Sequence, residues 1–440
     1  MNYITRNIET QLHRFIDSPD KHKNVLLVEG ARQVGKSTVV EHVINQFPIK
    51  KIIINLEKDR LFRLKLDKCR QFSEFEDLLQ ITFDFNPAVK SILFIDESQE
   101  SMLLGQFVRF MKESWPDTAT ILTGSTLSRL FRKEVRYPVG RVKRLVVSPF
   151  SFYEFLMAGK KDFLSEKLKT FSRVSDTVHH ELLLMLDKYL TVGGLPAVVK
   201  DYFSGKDFRQ SRSLVIADYE HDFIRLFGED DLGIVKACFT SVANYAGSPS
   251  KNSSVVPSPT TPVHHKINNI FARLEQWKLI FRSDQHGISP EKSHRYLPKR
   301  YLFDTGILRH YREAAIPSIG LLDPAGSEIR KPLGGIIENQ AAIELARRNS
   351  DLHGWKKSPS GMEIDFLFQH MDLVIPVECK AAKKIKKTHL KGILSYLKMY
   401  GQKKGVVFSL APHEVFDMDG GVKIINIPLY SAENIWDIFK

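Results

Sequence analysis

Short apolar runs punctuate the first third of the chain. Residues 24–29, Asn-Val-Leu-Leu-Val-Glu, end at a glycine, and similar runs stand at 51–55, 91–96 and 118–122, the last closing at Thr123-Gly124. They are short and rich in Ile, Leu and Val, which predicts strands buried on both faces. Helical spacing fills 37–47, 73–82 and 104–114 between them. That alternation predicts a parallel sheet with helices on both sides. From 151 to 230 the strand-like runs stop and helical spacing takes over, notably at 178–190 and 210–226, which predicts a helical subdomain. Two helix-like stretches then flank a polar loop at 247–262, the second of them (Val263–Lys278) basic and amphipathic. A turn-rich basic segment, 282–300, and the apolar run Tyr301-Leu302-Phe303 follow. Helix, loop, helix and hairpin in that order predict a winged helix. From about 333 a helix (334–348) precedes strand-like runs at 363–368, 373–379, 405–409 and 423–427, with a further helix at 388–400: a second α/β domain. The expected divisions are 1–155, 156–230, 231–315 and 316–440.

Composition narrows the class. At 440 residues the chain is too long for one ordinary domain. Its 43% hydrophobic and 26% charged residues are ordinary for a soluble globular protein. No apolar run approaches the roughly 18–20 residues that cross a bilayer. The opening Met1–Arg6 has no apolar stretch of signal-peptide type, so a cytoplasmic protein with no membrane partner is expected. Cys69, Cys238 and Cys379 lie far apart without metal-ligand spacing and read as reduced thiols. A net charge of +13 points toward DNA or another polyanion, or toward a generally basic surface with no such partner.

The most specific chemistry lies at Gly30-Ala31-Arg32-Gln33-Val34-Gly35-Lys36-Ser37, which fits the phosphate-loop pattern G-x-x-x-x-G-K-[ST] and is followed by Thr38. It follows a strand and opens a helix, the setting that gives the motif its meaning. The glycines let the backbone curl so that its N–H groups face phosphate oxygens, and the helix N-terminus adds a favourable dipole. ATP is the expected ligand, with Lys36 reaching the β- and γ-phosphates and Ser37 holding Mg²⁺. Asp96 ends an apolar strand and is the second expected metal residue, with Glu97 as the group that orients and activates water. Ser125, after the next strand, is expected to be a polar sensor, and Arg141 either to supply charge as an arginine finger does or to form a surface ion pair. If Arg141 acts in trans, the chain works as a homo-oligomer.

These residues, with Pro149–Phe155, Gly193-Gly194-Leu195-Pro196 and Phe303-Asp304-Thr305-Gly306, resemble the prokaryotic AAA-type ATPases that carry a C-terminal domain of unknown function. The resemblance runs over nearly the whole chain. It implies a RecA-like P-loop ATPase core, a helical lid, a winged helix and a restriction-endonuclease-like α/β tail.

The tail also carries its own pattern. Glu338 lies in a helix, Asp365 interrupts an apolar strand, and Glu378-Cys379-Lys380 ends the next strand. Glu378 and Lys380 share a strand face. With Asp365 they could form a carboxylate pair for Mg²⁺ and a lysine to position the attacking water. Order and spacing resemble the PD-(D/E)xK nucleases, in which Glu338 would join the metal site. The Lys383–Lys387 run and the Val263–Lys278 helix, followed by Arg282, Lys292, Arg295, Lys299 and Arg300, offer basic surfaces for DNA. Adjacent His264 and His265 have the wrong spacing for a shared zinc face. Three readings stay open: an ATP-regulated nuclease, a DNA-binding ATPase with a silent tail, and a nucleotide-gated protein switch with no nucleic-acid partner.

Overall fold

The structure is a computed structural model that describes residues 3–101, 103–127, 130, 140–169, 172–256, 261–288, 296–312, 315–322, 327–347, 351–358 and 361–438. The chain divides into two compact units, Thr5–Ser148 and a second built on Pro149–Lys440.

In the first unit, strands β1 (Val25–Glu29), β2 (Lys50–Asn55), β3 (Ser91–Asp96), β4 (Thr118–Thr123) and β5 (Val142–Val146) form a sheet in the order β2-β3-β4-β1-β5. Every pairing is parallel. This is an α/β layer of the kind a RecA-like P-loop core has. The four expected strands are present, and β3 and β4 are buried along their whole length. The fifth was not read because Lys143 and Arg144 are exposed on this edge strand and break its apolar run. Helices Lys36–Ile44, Phe72–Phe83 and Leu104–Ser114 fall where periodicity placed them. The inner faces of the last two close a core of Leu27, Ile54, Leu93 and Ile95 with Phe75, Phe107 and Trp115.

The second unit begins with the expected run of helices, Phe152–Ala158, Asp162–Lys169, Asp176–Val192, Pro196–Phe203 and Phe208–Phe227. Three motifs quoted above interlock here. The Asp304 carboxylate caps helix Thr305–Tyr311 through the Ile307 N–H at 3.0 Å and accepts the Gly194 N–H at 2.6 Å. Gly194 in turn accepts the Phe150 N–H at 2.7 Å through its carbonyl. Gly193 sits at φ +85 against Asp304, so any side chain there is both strained and in collision with that carboxylate. Arg347 donates to the Pro149 carbonyl at 2.8 Å, and the Tyr189 hydroxyl donates to the Phe150 carbonyl at 2.8 Å. Residues more than a hundred positions apart thus build one buried hydrogen-bonded joint.

Helices Leu232–Asn244 and Thr261–Gln276 lead to an antiparallel pair, β6 (Ile280–His286) and β7 (Lys299–Leu302). Where a basic turn segment was expected from 282, β6 therefore continues to His286. The hairpin does not stand apart from the tail. β6 also pairs in parallel with β8 (Leu352–Lys356), which pairs with β9 (Glu363–Ile364), in the order β7-β6-β8-β9. The tail's own sheet comprises β10 (Phe366–His370), β11 (Leu373–Lys380), β12 (Lys404–Ser409), β13 (Glu414–Met418) and β14 (Val422–Pro428), in the order β10-β11-β12-β14-β13. Helix Ser327–Ala346 precedes it and helix Lys391–Tyr400 crosses between β11 and β12. Asp365 falls at the break between β9 and β10, where the chain passes from one sheet to the other.

Candidate nucleotide site and a buried carboxylate cluster

The parallel strands of the first unit bring their C-terminal ends to one edge, where open α/β sheets bind ligands. Val28 pairs with Thr123 and Asn55 with Asp96, so the phosphate loop, Asn55, Asp96 and Thr123 meet there. Gly30 has φ +145, and a methyl group on it would run into the Val147 carbonyl. Gln33 (φ 62) and Gly35 (φ 87) are also left-handed. These three turns curl the loop so that its N–H groups precede helix Lys36–Ile44 as an anion cradle. Lys36 is buried, its Nζ donating to the Ala31 carbonyl at 2.8 Å and the Gly30 carbonyl at 3.2 Å. Arg6 braces the loop from outside, donating to the Val34 carbonyl at 3.0 Å and the Ser148 carbonyl at 2.7 Å. No sequence pattern marked Arg6. Ala31 and Val34 are buried, Arg32, Gln33 and Ser37 half-buried, and Thr38 exposed at the start of the helix.

Asp96 accepts from Asn55 Nδ2 at 2.8 Å on one oxygen and from the Thr123 hydroxyl on the other. The structure thus brings Thr123 to the carboxylate, while Ser125 lies half-buried two residues on. Asn55 carries no motif, and Thr123 opens the Thr123-Gly124-Ser125 stretch in which only Ser125 was given a role; each is a polar residue ending an apolar strand, the signal that had marked Asp96. Glu97 stands in the left-handed region at φ 50, with one carboxylate oxygen held by Gln99 Nε2 at 2.5 Å. A non-glycine residue there costs about 1 kcal/mol or more, the kind of strain that gathers at functional positions. Burial holds the Glu97 carboxyl above its ordinary value, a rise that Gln99 and the nearby Lys36 ammonium only partly offset. Arg141 lies elsewhere. It immediately precedes Val142, which pairs with Val25, so it sits at the N-terminal edge of the sheet and faces Glu113 at 3.6 Å. A five-residue strand at about 3.3 Å per residue separates it from the loop.

The residues of the loop fit a nucleotide with its metal: a three-turn cradle, a lysine at its mouth, and Asp96 held by two donors beside the helix that begins at Lys36 and Ser37.

In the second unit, Glu338, Asp365, Glu378 and Lys380 converge, but around Lys299, a member the motif did not include. Lys299 is fully buried, and its Nζ lies 2.8 Å from Glu338 and 3.0 Å from Asp365. Burial works against its charge, but Asp365 and Glu338 outweigh that and hold the ammonium well above its ordinary pKa. The Tyr301 hydroxyl donates to the same Glu338 oxygen at 2.7 Å. Asp365 accepts the Cys379 N–H at 2.9 Å. Burial would raise Asp365, yet Lys299 and Lys380 keep it below the usual carboxylate range. Glu378 is pushed up by burial and by Asp365, and it is ion-paired with Lys380 at 2.5 Å. Among the described residues no group of three His, Cys, Asp or Glu side chains is placed to hold a metal ion. The expected metal set of Glu338, Asp365 and Glu378 therefore does not fit a divalent ion here, because an ammonium already bridges two of its members.

The basic surface expected after Val263 is also different. Lys299 and Arg300 point inward, Arg300 stacking on Phe271 and facing Glu275. Lys266 pairs with Asp231 at 2.7 Å, Arg273 donates to the Leu226 carbonyl, and Arg282 pairs with Asp284. Lys299 and Arg300 are neighbours on β7 and both are buried against acidic partners, whereas the Lys266 and Arg282 side chains stay exposed beside theirs. Lys292 and Arg295 lie outside the described residues. By contrast Lys384, Lys386, Lys387, Lys391, Lys398, Lys403 and Lys404 are all exposed on the tail.

Three family models match separate stretches of the chain. Residues 22–156 match the AAA domain family, 184–316 match a Domain of unknown function (DUF8612), and 333–430 match a Domain of unknown function (DUF4143). The AAA domain match falls on the parallel sheet and phosphate loop of the first unit, in keeping with a P-loop ATPase core. No curated protein matches the chain. Among solved structures it is similar to the Aeropyrum pernix ORC1 protein in complex with DNA, at 12% identity and a TM-score of 0.31, over 70% of this chain and 92% of that one. At that level the likeness carries no inference about function. Among the described residues no helix is long and apolar enough to cross a membrane.

Proposed function

We propose that this protein is a cytoplasmic, Mg²⁺-dependent ATP hydrolase that works on DNA through a winged helix and a nuclease-like tail that binds without cutting. The observation that carries the ATPase part is the meeting of Lys36, Asp96, Thr123 and Glu97 at one edge of the sheet. Lys36 takes the phosphate charge, Ser37 and Asp96 hold the metal, and Glu97 accepts a proton from the attacking water. The bound metal would neutralise charge developing between the β- and γ-phosphates. Thr123 and Asn55 fix the Asp96 carboxylate, and Gln99 fixes Glu97. Arg141, at the far edge of its own sheet, is assigned to a neighbouring copy's nucleotide in a homo-oligomer. Steady-state ATP turnover with Mg²⁺ tests the core: activity lost in Glu97→Gln supports it, and turnover unchanged in that variant removes it.

DNA contact is assigned to the exposed lysines between Lys384 and Lys404, which would follow a phosphate backbone. Arg273, Lys299 and Arg300 are turned inward, so the middle domain's share of that contact falls to its remaining exposed residues. Binding of duplex DNA that weakens steeply with salt supports this reading. Salt-insensitive or absent binding leaves the nucleotide-gated protein switch.

A further inference from the structure

Lys299 enters the carboxylate cluster from β7, outside the tail's own sheet. It is 0% exposed and lies within hydrogen-bonding distance of carboxylates from two different elements, Glu338 on its helix and Asp365 at the β9–β10 break. Glu363 stands a little further off at 3.6 Å, itself paired with Lys356 at 2.9 Å. A hard divalent ion takes carboxylate oxygens at about 2.0–2.6 Å. An ion shared by Glu338 Oε1 and Asp365 Oδ1 would have to stand where the Lys299 nitrogen now stands. The remaining members are also engaged, since the Lys380 ammonium is held by Glu378 and the second Asp365 oxygen by the Cys379 N–H.

We propose that Lys299 is the resident cation of this cluster, an ammonium in the position for which the motif suggests Mg²⁺, so that the tail takes up no divalent ion and hydrolyses no phosphodiester. The proposal rests on the nuclease-like reading of the tail and deepens it. The side chain does for the carboxylates what a metal would do electrostatically, neutralising buried negative charge and holding Glu338 and Asp365 together. It cannot do what a metal does chemically, because an ammonium whose donors are committed to carboxylates offers no open position to a water or a phosphate oxygen. Removing its charge while keeping its apolar stem would reopen the position.

The test is Mn²⁺ binding to the nucleotide-free full chain, followed by the paramagnetic signal of the free ion, in wild type, Glu378→Gln, Lys299→Met and the Lys299→Met/Glu378→Gln double variant. Folding is checked by circular dichroism. Wild type and Glu378→Gln should bind Mn²⁺ alike, with only a background common to all four proteins. Lys299→Met should gain one ion bound at least tenfold more tightly than that background, lost again in the double variant. An ion in wild type that Glu378→Gln removes would overturn the proposal while sparing the nuclease-like reading. A folded Lys299→Met that gains no ion would overturn both. Should Lys299→Met not fold, the wild-type and Glu378→Gln pair still decides whether the tail takes a divalent ion.

Discussion

The phosphate loop and the carboxylate cluster were both announced by short motifs, and the two motifs differ in what they encode. The loop is built by backbone. Its turns at residues 30, 33 and 35 and its place between β1 and a helix are local properties, so eight consecutive residues carry nearly all of its geometry. The cluster is built by side chains meeting across elements, and its chemistry is decided by Lys299, which lies 39 positions before Glu338 and 66 before Asp365. A motif that specifies backbone survives translation into three dimensions intact. A motif that specifies only side-chain types leaves open what else will stand among them.

The sharpest way to separate the two regions is to disable each in turn. Glu97→Gln should lower ATP turnover by about 10²-fold or more while ATP still binds, whereas Lys380→Ala should leave turnover within about twofold; equal losses in both would erase the distinction. Next in size, Asp304→Ala should destabilise the second unit by about 3 kcal/mol, since it strips a helix cap and leaves the buried Gly194 N–H without its acceptor. Thermal unfolding should show that loss with the ATPase unit's own transition unmoved.

A smaller effect belongs to the first unit alone. Lys112 is buried, donates to the Lys21 and Thr118 carbonyls, and has its pKa lowered by burial from 10.5 to about 7. Between those values the unfolded chain holds a proton that the folded one releases, so stability rises with pH across the window. Below pH 7 both states are protonated and the burial penalty stands in full. Lys112→Met should flatten this pH dependence relative to wild type, and parallel curves would refute the assignment. The smallest effect is on the tail surface. Replacing Lys384, Lys386 and Lys387 together by Ala should reduce the slope of log DNA affinity against log salt by up to about 3. An unchanged slope would move the DNA contact elsewhere.

Much of the fold was legible in these residues for a physical reason. Strands β1, β3 and β4 are buried almost throughout, so their apolar runs are unbroken, and edge strand β2 keeps its Ile52-Ile53-Ile54 run although Ile53 is exposed. What escaped was what burial does not mark: the charged edge strand β5, the half-exposed β13, and β8, whose Leu-His-Gly-Trp-Lys sequence has neither period. Asp96 and Glu97 could be placed because they follow such a run. Thr123 and Asn55 could not be distinguished from ordinary strand ends until the sheet order put them beside Asp96. The exposed reading of Lys299 and Arg300 failed because a lysine or arginine in a turn-rich stretch is usually solvated, and only partners distant in sequence make its burial tolerable.

The pairing of β6 with β8 also bears on how this protein can be dissected. A break in the polypeptide between Leu302 and Leu352 looks from the sequence like a natural place to separate a middle module from its tail. A fragment starting there would carry β8 with its hydrogen-bonding edge open to solvent and ready to recruit another chain. It would also leave the Lys299 side chain behind. Expression of the tail alone should therefore yield an aggregating fragment, while one that starts before helix Thr261–Gln276 keeps the sheet closed.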